Sequence, residues 1–420
     1  MSADVGVTMT DIAAVPLRVP AGAEWRPGFD VAKATDAWIA TIPAAKREQS
    51  DAYFEGGYWI DGWSALVTVA IAWILLATRL SARMRDFSER CARKPFRQTL
   101  LYGALFMLAI GILGLPWTLY VDFFREHQYG MSNQTLGAFL GEQAISLALG
   151  VALGSISIAV LYAIIRRVRE SWVYWATGAS ALLLLFMILI YPVFIAPLFN
   201  DYKPLPKGPL RDSILALAHE NGIPADDVYW YDASKQTKRI SANVSGLAGT
   251  TRIALNDNLL NETSPPEIRA VMAHEMGHYV LHHSLWLPLA TALVLGIGFF
   301  VVNRLFGMLR ARRGERWGVR DLADPAGLPL AMAIFAVVML LLTPLSNSIV
   351  RVAENQADAF GLEAANEPQG FASVAIRLAS YRKLEPGRIE EIIFFDHPSG
   401  RTRVQRAMRW LAEHPPGEKR

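Results

Sequence analysis

The sequence predicts a mainly α-helical protein that crosses a membrane about six times and carries a water-facing module with a small β-sheet. Apolar residues make up 52% of the 420-residue chain and charged residues only 19%, whereas soluble domains usually carry about 25% charged residues. The mean hydropathy is +0.24. The 12 Trp and 13 Tyr residues are of types that favour membrane interfaces. Composition therefore indicates an integral, multi-pass membrane protein, in a bacterial inner membrane or its equivalent.

Six apolar stretches are each long enough for a spanning helix, which needs about 20 residues. Apolar runs in buried soluble helices are usually shorter, about 10–14 residues. Residues 1–57 contain no such stretch, and their start lacks the basic and apolar parts of a signal peptide. The predicted spans are Trp59–Thr78, Thr99–Tyr120, Phe139–Ile165, Trp172–Ala196, Leu285–Phe306 and Leu328–Asn347.

These spans divide the chain into five predicted parts. They are a non-spanning region (1–57), four membrane helices (58–199), a soluble module (200–284), two membrane helices (285–349) and a C-terminal region (350–420). Within the soluble module the pattern predicts helices at Pro209–Asn221 and about Pro266–His283, strands at Asp227–Tyr231 and Thr251–Leu255, and a further candidate strand at Ile240–Val244.

Charge and cysteine content exclude two classes of function. The net charge of +3 is small, and no basic face is interleaved with aromatic residues, so nucleic acid is not a predicted partner. Cys91 is the single cysteine, which excludes an intrachain disulfide and a cysteine-rich zinc site. Any metal would be bound by histidines and carboxylates.

The segment from His274 to His278 contains the pattern H-E-x-x-H. Positions i and i+4 lie on one face of a helix, so His274 and His278 can both reach one metal ion. Glu275 can then take a proton from a water at that ion. The alternative is coincidence with structural histidines, because the pattern should arise by chance in roughly one such chain in a hundred.

A helix start precedes this pattern. Ser264 is a predicted N-cap, Pro265 fits the first helical position, and Glu267 occupies the capping-box position. His282 and His283 follow on the same predicted helix. They are interpreted as C-terminal or membrane-interface residues, with alternative metal ligation left open.

A catalytic zinc needs three protein ligands and an open position. Glu354 and Asp358 are one helical turn apart just after the sixth predicted span, so that span can place them beside the two histidines. Glu354 is then the candidate third ligand, and Asp358 can bind a ligand histidine or a reacting group. His397 is a candidate donor to a developing oxyanion, or an ordinary loop residue.

The chain resembles the type I CAAX prenyl protease family, integral-membrane zinc metallopeptidases of the sterile-mating-factor type, from about Tyr53 to Arg409. The matching motifs occur in the family's order: Tyr191-Pro192, Phe194-Ile195-Ala196-Pro197-Leu198-Phe199-Asn200, Pro204-Leu205-Pro206, Asp232-Ala233-Ser234-Lys235, Gly246, Arg252-Ile253-Ala254-Leu255 with Asp257, H-E-x-x-H, Asn347, Arg351, Glu354-Asn355-Gln356-Ala357-Asp358, and His397-Pro398 with Arg403.

The resemblance implies a ring of membrane helices around a water-filled chamber, capped by a gluzincin-like module with one Zn²⁺. It implies Glu354 as third ligand, Asp358 as a proton donor or a partner of a ligand, and His397 with Arg403 near the substrate carbonyl. It also implies that the strand containing Ser241, Ala242 and Asn243 binds an extended substrate, as an edge strand can.

Three departures accompany the resemblance. Residues 1–57 lack the further N-terminal span of the family's eukaryotic members, and Ser241 replaces the usual Asn of the substrate-pairing strand. The third departure is the orientation in the membrane. Basic residues in short loops favour the cytoplasmic side, and counting the spans places the basic loops on the side opposite the catalytic module. The family's eukaryotic members, by contrast, have the catalytic module in the cytosol. Those residues are Arg79, Arg83, Arg85, Arg90, Arg93, Lys94, Arg97, Arg166, Arg167, Arg169, Arg310, Arg312, Arg313, Arg316 and Arg320.

The sequence therefore predicts a membrane-embedded zinc metalloendopeptidase. The expected partners are the lipid bilayer and peptide or protein substrates, including prenylated or membrane-associated ones. The resemblance implies trimming of prenylated C-termini. A quality-control protease of the same chemistry is one alternative, and a noncatalytic membrane protein with structural zinc is another, although Glu275 would then have no use.

Overall fold

A computed structural model describes residues 15–246 and 251–417, and these residues form helices and one four-stranded sheet. Two π-helical segments, Leu119–Arg125 and Tyr191–Ile195, continue membrane helices. The α-helices are α1 (Val31–Ile39), α2 (Ala44–Ala77), α3 (Leu80–Cys91), α4 (Pro95–Thr118), α5 (Glu126–Gln128), α6 (Leu136–Arg167), α7 (Trp172–Ile190), α8 (Pro209–Glu220), α9 (Asp257–Glu262), α10 (Pro265–Val280), α11 (His283–Trp317), α12 (Leu328–Leu341), α13 (Thr343–Ala365), α14 (Pro368–Leu378), α15 (Arg388–Phe394) and α16 (Gly400–Glu413). The strands are β1 (Tyr202–Pro204), β2 (Val228–Tyr231), β3 (Ala242–Ser245) and β4 (Arg252–Asn256).

The membrane helices form a closed ring. In order around it, α2 contacts α4, α4 contacts α6, α6 contacts α7, α7 contacts α11, α11 contacts α12, and α12 returns to α2. This arrangement confirms the predicted polytopic helical fold with an internal chamber. Within the described part of the chain, five helical segments are long and apolar enough to span a membrane, namely Ala44–Ala77, Pro95–Gln128, Leu136–Arg167, Trp172–Leu198 and His283–Trp317.

The sixth predicted span, Leu328–Asn347, is a bent pair of helices. The chain turns by 56° between α12 and α13. Because α12 has 14 residues, it covers only about 21 Å, less than the roughly 30 Å of a hydrocarbon core. Pro344 lies in the first turn of α13, where it lacks an N–H and its ring clashes with the carbonyl of Leu340 in a continuous helix. The bend directs α13 toward the catalytic side.

Two membrane helices extend well beyond the predicted spans. α2 has 34 residues and α11 has 35, so each is about 50 Å long. The N-terminal part of α2 packs on the end of α15, where the Tyr58 and Phe394 rings stack with centroids 3.9 Å apart. α1 packs against α14 and α16. The residues before the first predicted span therefore contribute to the soluble side.

The sheet has the order β1-β2-β4-β3, in which β2 and β4 are parallel and the other pairs antiparallel. The two predicted strands and the further candidate strand are all present. β1 was missed by the sequence reading because it has three residues and ends in Pro204. One face of the sheet packs on α8, α9 and α10 through a buried apolar cluster that includes Leu217, Ile253, Leu255, Leu259, Ile268 and Met272.

Helices α10 and α13 cross unusually closely. A Cβ atom added at Gly277 would lie 3.2 Å from Cα of Ala357, and one added at Gly361 would lie 3.0 Å from the backbone nitrogen of His274. Glycine inside a helix is unfavourable by about 1 kcal/mol relative to alanine, so these glycines are explained by the close approach. The crossing brings the two motif-bearing helices together.

We expect Gly361→Ala to destabilise the protein by about 1–3 kcal/mol, because the new methyl group meets backbone that cannot move independently of α10. Thermal unfolding in detergent would measure the effect. Gly307→Ala is the matched control, since a Cβ atom there meets nothing within 4 Å. Equal unfolding temperatures for the two variants would contradict the close-crossing argument.

Candidate active site

The helix that carries H-E-x-x-H begins as the sequence predicts. The Glu267 carboxylate accepts hydrogen bonds from the Ser264 backbone N–H at 2.7 Å and from its hydroxyl at 2.6 Å. Pro265 opens α10. Burial opposes ionisation of Glu267, but hydrogen bonds from Arg377 and Ser264 outweigh it and lower its pKa. This capping box fixes the residue at which α10 begins, and it thereby fixes the positions of the histidines two turns later.

His274, His278 and Glu354 converge on one point. The Nε2 atoms of the two histidines are 3.2 Å apart. The Glu354 carboxylate oxygens lie 3.3 Å from Nε2 of His274 and 3.4 Å from Nε2 of His278. Among the described residues, these three are the group of histidines and acids whose ligand atoms could bind one metal ion.

The donor set fits zinc. Nitrogen and oxygen ligands about 2.0–2.2 Å from a tetrahedral zinc stand roughly 3.3–3.6 Å from one another, close to the 3.2–3.4 Å separations observed. The buried Oε2 of Glu354 makes no hydrogen bond with the described residues, although Nε2 of His274 is nearby. A buried carboxylate oxygen without a hydrogen-bond donor is expected when it faces a metal ion.

Asp358 lies behind His274, not at the convergence point. Its fully buried carboxylate accepts from Nδ1 of His274 at 3.0 Å, from Nε of Arg403 at 3.0 Å and from Nη1 of Arg406 at 3.2 Å. A carboxylate on Nδ1 sets the tautomer that leaves Nε2 free for a metal. Both oxygens of Asp358 are thus occupied.

His283 is a residue whose place the sequence reading missed. It is 1% exposed; its Nδ1 lies 2.9 Å from Nδ1 of His278, and its Nε2 lies 3.0 Å from Oε1 of Gln356. His283 was expected at the C-terminus of the H-E-x-x-H helix or at the membrane interface, whereas the structure places its ring between His278 and Gln356. His282, by contrast, is exposed, and its backbone is left-handed with φ of 56°.

His397 approaches the same centre from the loop before α16. Its Nε2 lies 3.1 Å from Oε2 of Glu354, and its Nδ1 is 2.7 Å from Oδ1 of Asp396. The loop is fixed by Arg351, whose guanidinium donates to the carbonyls of Glu391 and Phe395. The structure therefore brings His397 to the metal-binding group, with Asp396 as an orienting partner.

Glu275 faces a cavity of about 200 Å³ beside these residues, lined also by Ser241, Ala242, His397 and Arg403. Burial raises the pKa of Glu275 to about 7, and the Glu354 carboxylate adds to the effect, while His274 and Arg403 oppose it. A carboxyl group with a pKa near neutrality can both accept and return a proton.

The surroundings shift the pKa values of the two histidines in opposite directions. Burial, together with the nearby His274, lowers the pKa of His278 to about 4, which keeps its ring neutral. Burial also opposes a charge on His274, but the hydrogen bond with Asp358 and the adjacent Glu354 carboxylate outweigh it and raise the pKa to about 9.

Strand β3 borders the cavity with an unpaired edge. Among the described residues β4 is its one partner strand, and the Asn256 N–H donates to the Ser241 carbonyl at 2.9 Å. Because antiparallel pairs alternate between bonded and non-bonded positions, the backbone groups of Ala242 and Val244 point to the free edge. Asn243 is exposed on the other face of the sheet. The predicted substrate strand is thus next to the metal-binding group.

Two family models account for most of the chain. Residues 32–201 match the model described as CAAX prenyl protease N-terminal, five membrane helices. Residues 204–420 match peptidase family M48, a zinc-dependent metallopeptidase family.

Individual relatives agree with these matches. An uncharacterized metalloprotease, YhfN of Bacillus subtilis (strain 168), is 32% identical over 341 residues, covering 80% of this chain and 79% of the relative. A CAAX prenyl protease 1 homolog of Oryza sativa subsp. japonica is 30% identical over 282 residues, covering 66% and 65% of the two chains.

The crystal structure of S. mikatae Ste24p has the same fold, with a TM-score of 0.72 and 22% identity over 88% of this chain and 89% of that one. The predicted family, membrane location, zinc dependence and enzyme class are confirmed. The chain belongs to peptidase family M48 and is a membrane-embedded zinc metalloendopeptidase.

Proposed function

We propose that this protease cleaves extended peptides laid along the free edge of β3, beside a zinc ion bound by His274, His278 and Glu354. The observation that supports this proposal is the convergence of the ligand atoms of these three side chains within 4.8 Å of one another, with His274 in the wall of the 200 Å³ cavity that also contains Glu275. When bound, zinc supplies a Lewis acid for the scissile carbonyl and lowers the pKa of a water molecule.

Each remaining group has a proposed task that follows from its contacts. Glu275 takes the proton of the attacking water and returns it to the leaving amine, since its pKa is near neutrality. His397, oriented by Asp396, donates to the oxyanion. Asp358 orients His274; with both oxygens occupied by three donors, it has no free position for proton delivery. Arg403 supports Asp358 and lines the substrate cavity.

Peptide binding along β3 needs no particular side-chain sequence. An added strand bonds to the backbone of Ala242 and Val244, and side chains alternate between pockets. In an antiparallel arrangement, the commoner one, the N-terminal side of the substrate lies toward Ser245 and its C-terminal side toward Ser241. Ser241 itself is bonded to Asn256 through both its N–H and its carbonyl, so we assign it a supporting role beside Ala242.

A second cavity, of about 650 Å³, lies below the sheet between α7 and α11. Its wall includes His278 and Asn243 together with apolar residues such as Met187, Leu287 and Val350. A residue just upstream of the scissile bond would project toward this space. We therefore propose that substrates carry an apolar group at that position, and that prenylated C-termini are among them, in keeping with the name of the Oryza sativa relative.

We expect Glu275→Gln to lower turnover by about 10²–10⁴-fold, because the general base is lost, while zinc content remains stoichiometric. The assay is cleavage of a fluorogenic peptide by purified protein in detergent, with metal content measured in parallel. Glu262→Gln changes an exposed carboxylate of α9 and should retain wild-type turnover. Undiminished cleavage by Glu275→Gln would contradict the proposed mechanism.

We expect His283→Ala to weaken zinc binding by about 10–100-fold, the usual effect of removing a group that orients a metal ligand. His283→Asn should retain most of the affinity, because its side-chain oxygen can accept from Nδ1 of His278. Competition with a chelator measures this without reference to activity. His282→Asn, at the exposed neighbouring position, is the control. Equal affinities for wild type and His283→Ala would exclude an orienting role.

We expect Thr291→Phe, which fills part of the 650 Å³ cavity, to reduce kcat/KM for a farnesylated peptide by at least tenfold. The same peptide without the prenyl group should be cleaved as by wild type, and it serves as the matched control. If both peptides lose rate equally, the cavity does not receive the prenyl group. If wild type prefers neither peptide, a quality-control role replaces the prenyl proposal.

A further inference from the structure

Three basic segments that are distant in sequence meet at one end of the helix ring. The Arg79 side chain, after α2, donates to the backbone carbonyls of Glu315 at 2.7 Å and Arg316 at 2.9 Å, at the end of α11. Arg166, at the end of α6, donates to Thr99 Oγ1 at 2.8 Å, at the start of α4. The connections α2–α4, α6–α7 and α11–α12 thus form a single surface, here called the basic end.

Two acidic residues of the basic end form ion pairs within it. Asp324 pairs with buried Arg85 at 2.6 Å, and Glu89 pairs with Arg320 at 2.6 Å. Other cations lie exposed with no carboxylate within 4.0 Å among the described residues. They include Arg93, Lys94, Arg97, Arg312, Arg313 and Arg316. The basic end therefore presents positive charge that the protein itself does not neutralise.

Large apolar side chains are exposed among these cations. Phe87 on α3 and Phe96 at the start of α4 are each 45% exposed, and Leu80 is 36% exposed. Phe87 lies between Arg83 and Arg90, which are also exposed. Apolar and basic groups mixed on one face are typical of segments that lie in the headgroup region of an anionic membrane.

No comparable charge occurs in the short connection at the other end of the ring. Residues 129–135, between α5 and α6, contain no lysine or arginine. The nearest basic residue, Arg125, is buried and donates to the backbone carbonyl of Tyr53. The other cations of that side belong to folded domains, which influence orientation far less than short loops do. Charge is therefore strongly asymmetric across the membrane helices.

We propose that the basic end is a docking surface for the phosphate headgroups of anionic phospholipids and faces the cytoplasm, so that the active site opens on the opposite side of the membrane. Anionic lipids of the cytoplasmic leaflet attract basic segments near the membrane surface, and short basic loops are retained in the cytoplasm. This orientation opposes the cytosolic placement implied by the resemblance to eukaryotic proteases, and it does not depend on the proposed substrate.

Cys91 gives a direct test of orientation, because it is the single cysteine and lies exposed at the end of α3 in the basic end. In sealed spheroplasts, a membrane-impermeant maleimide should label wild-type protein only after the membrane is opened. The variant Cys91→Ser with Glu220→Cys, whose new thiol is on exposed α8, should be labelled before opening. Labelling of Cys91 in sealed spheroplasts, with protection of the thiol at position 220, would overturn the proposal.

Lipid binding is tested in nanodiscs of phosphatidylcholine doped with dansyl-phosphatidylglycerol, by energy transfer from the protein's tryptophans. Replacing Arg93, Lys94 and Arg97 with Gln should weaken phosphatidylglycerol binding several-fold. The control replaces three exposed lysines of the catalytic side, Lys33, Lys46 and Lys207, with Gln and should bind as wild type does. Equal binding by the first variant and wild type, or equal loss in both variants, would contradict the assignment of this surface.

Discussion

The buried carboxylate of Asp358 is the interaction on which the site depends. Its oxygens receive donors from His274 on α10 and from Arg403 and Arg406 on α16, so one side chain of α13 joins three helices from separate parts of the chain. An unpaired carboxylate at 0% exposure would be strongly unfavourable. The charge is therefore stable only when α10, α13 and α16 are together. Folding of the soluble side and the orientation of His274 are thus determined by the same contacts.

The bend between α12 and α13 has a corresponding role for Glu354. A straight continuation of α12 would carry this residue along the membrane axis, whereas the 56° turn lays α13 across α10. Small residues at the crossing, Gly277 and Gly361, let the two helices approach closely enough for the carboxylate to reach both imidazoles. Backbone geometry established by Pro344 and two glycines thereby fixes the separations within the proposed zinc site.

Local sequence patterns predicted much of this arrangement, and the features that they did not predict have physical explanations. The i,i+4 spacing of His274 and His278 and the capping box at Ser264 depend on helix geometry alone, so the sequence was sufficient for both. His283 was not predictable in this way, because five helical residues rotate a side chain by about 500°, leaving it roughly 140° from the face of His278. The left-handed backbone of His282, between α10 and α11, returns His283 to that face, and left-handed conformations are uncommon outside glycine. Pro344 explains the break in the sixth span, but the direction in which α13 then runs depends on its packing against α10.

The order of elements along the chain explains why membrane and catalytic parts are inseparable in this protein. Residues 200–284 contain His274, Glu275 and His278 but not Glu354, which follows α11 and α12. The chain must cross the membrane part twice before the third proposed ligand reaches the first two. Moreover, His283, in contact with His278, is the first residue of α11, and Glu354 is on the helix that continues α12. Both halves of the metal-binding group are therefore covalently joined to neighbouring helices of the ring. Any change in the separation of α11 and α12 on the catalytic side would alter the ligand separations, so a rigid ring is a condition for a stable metal centre.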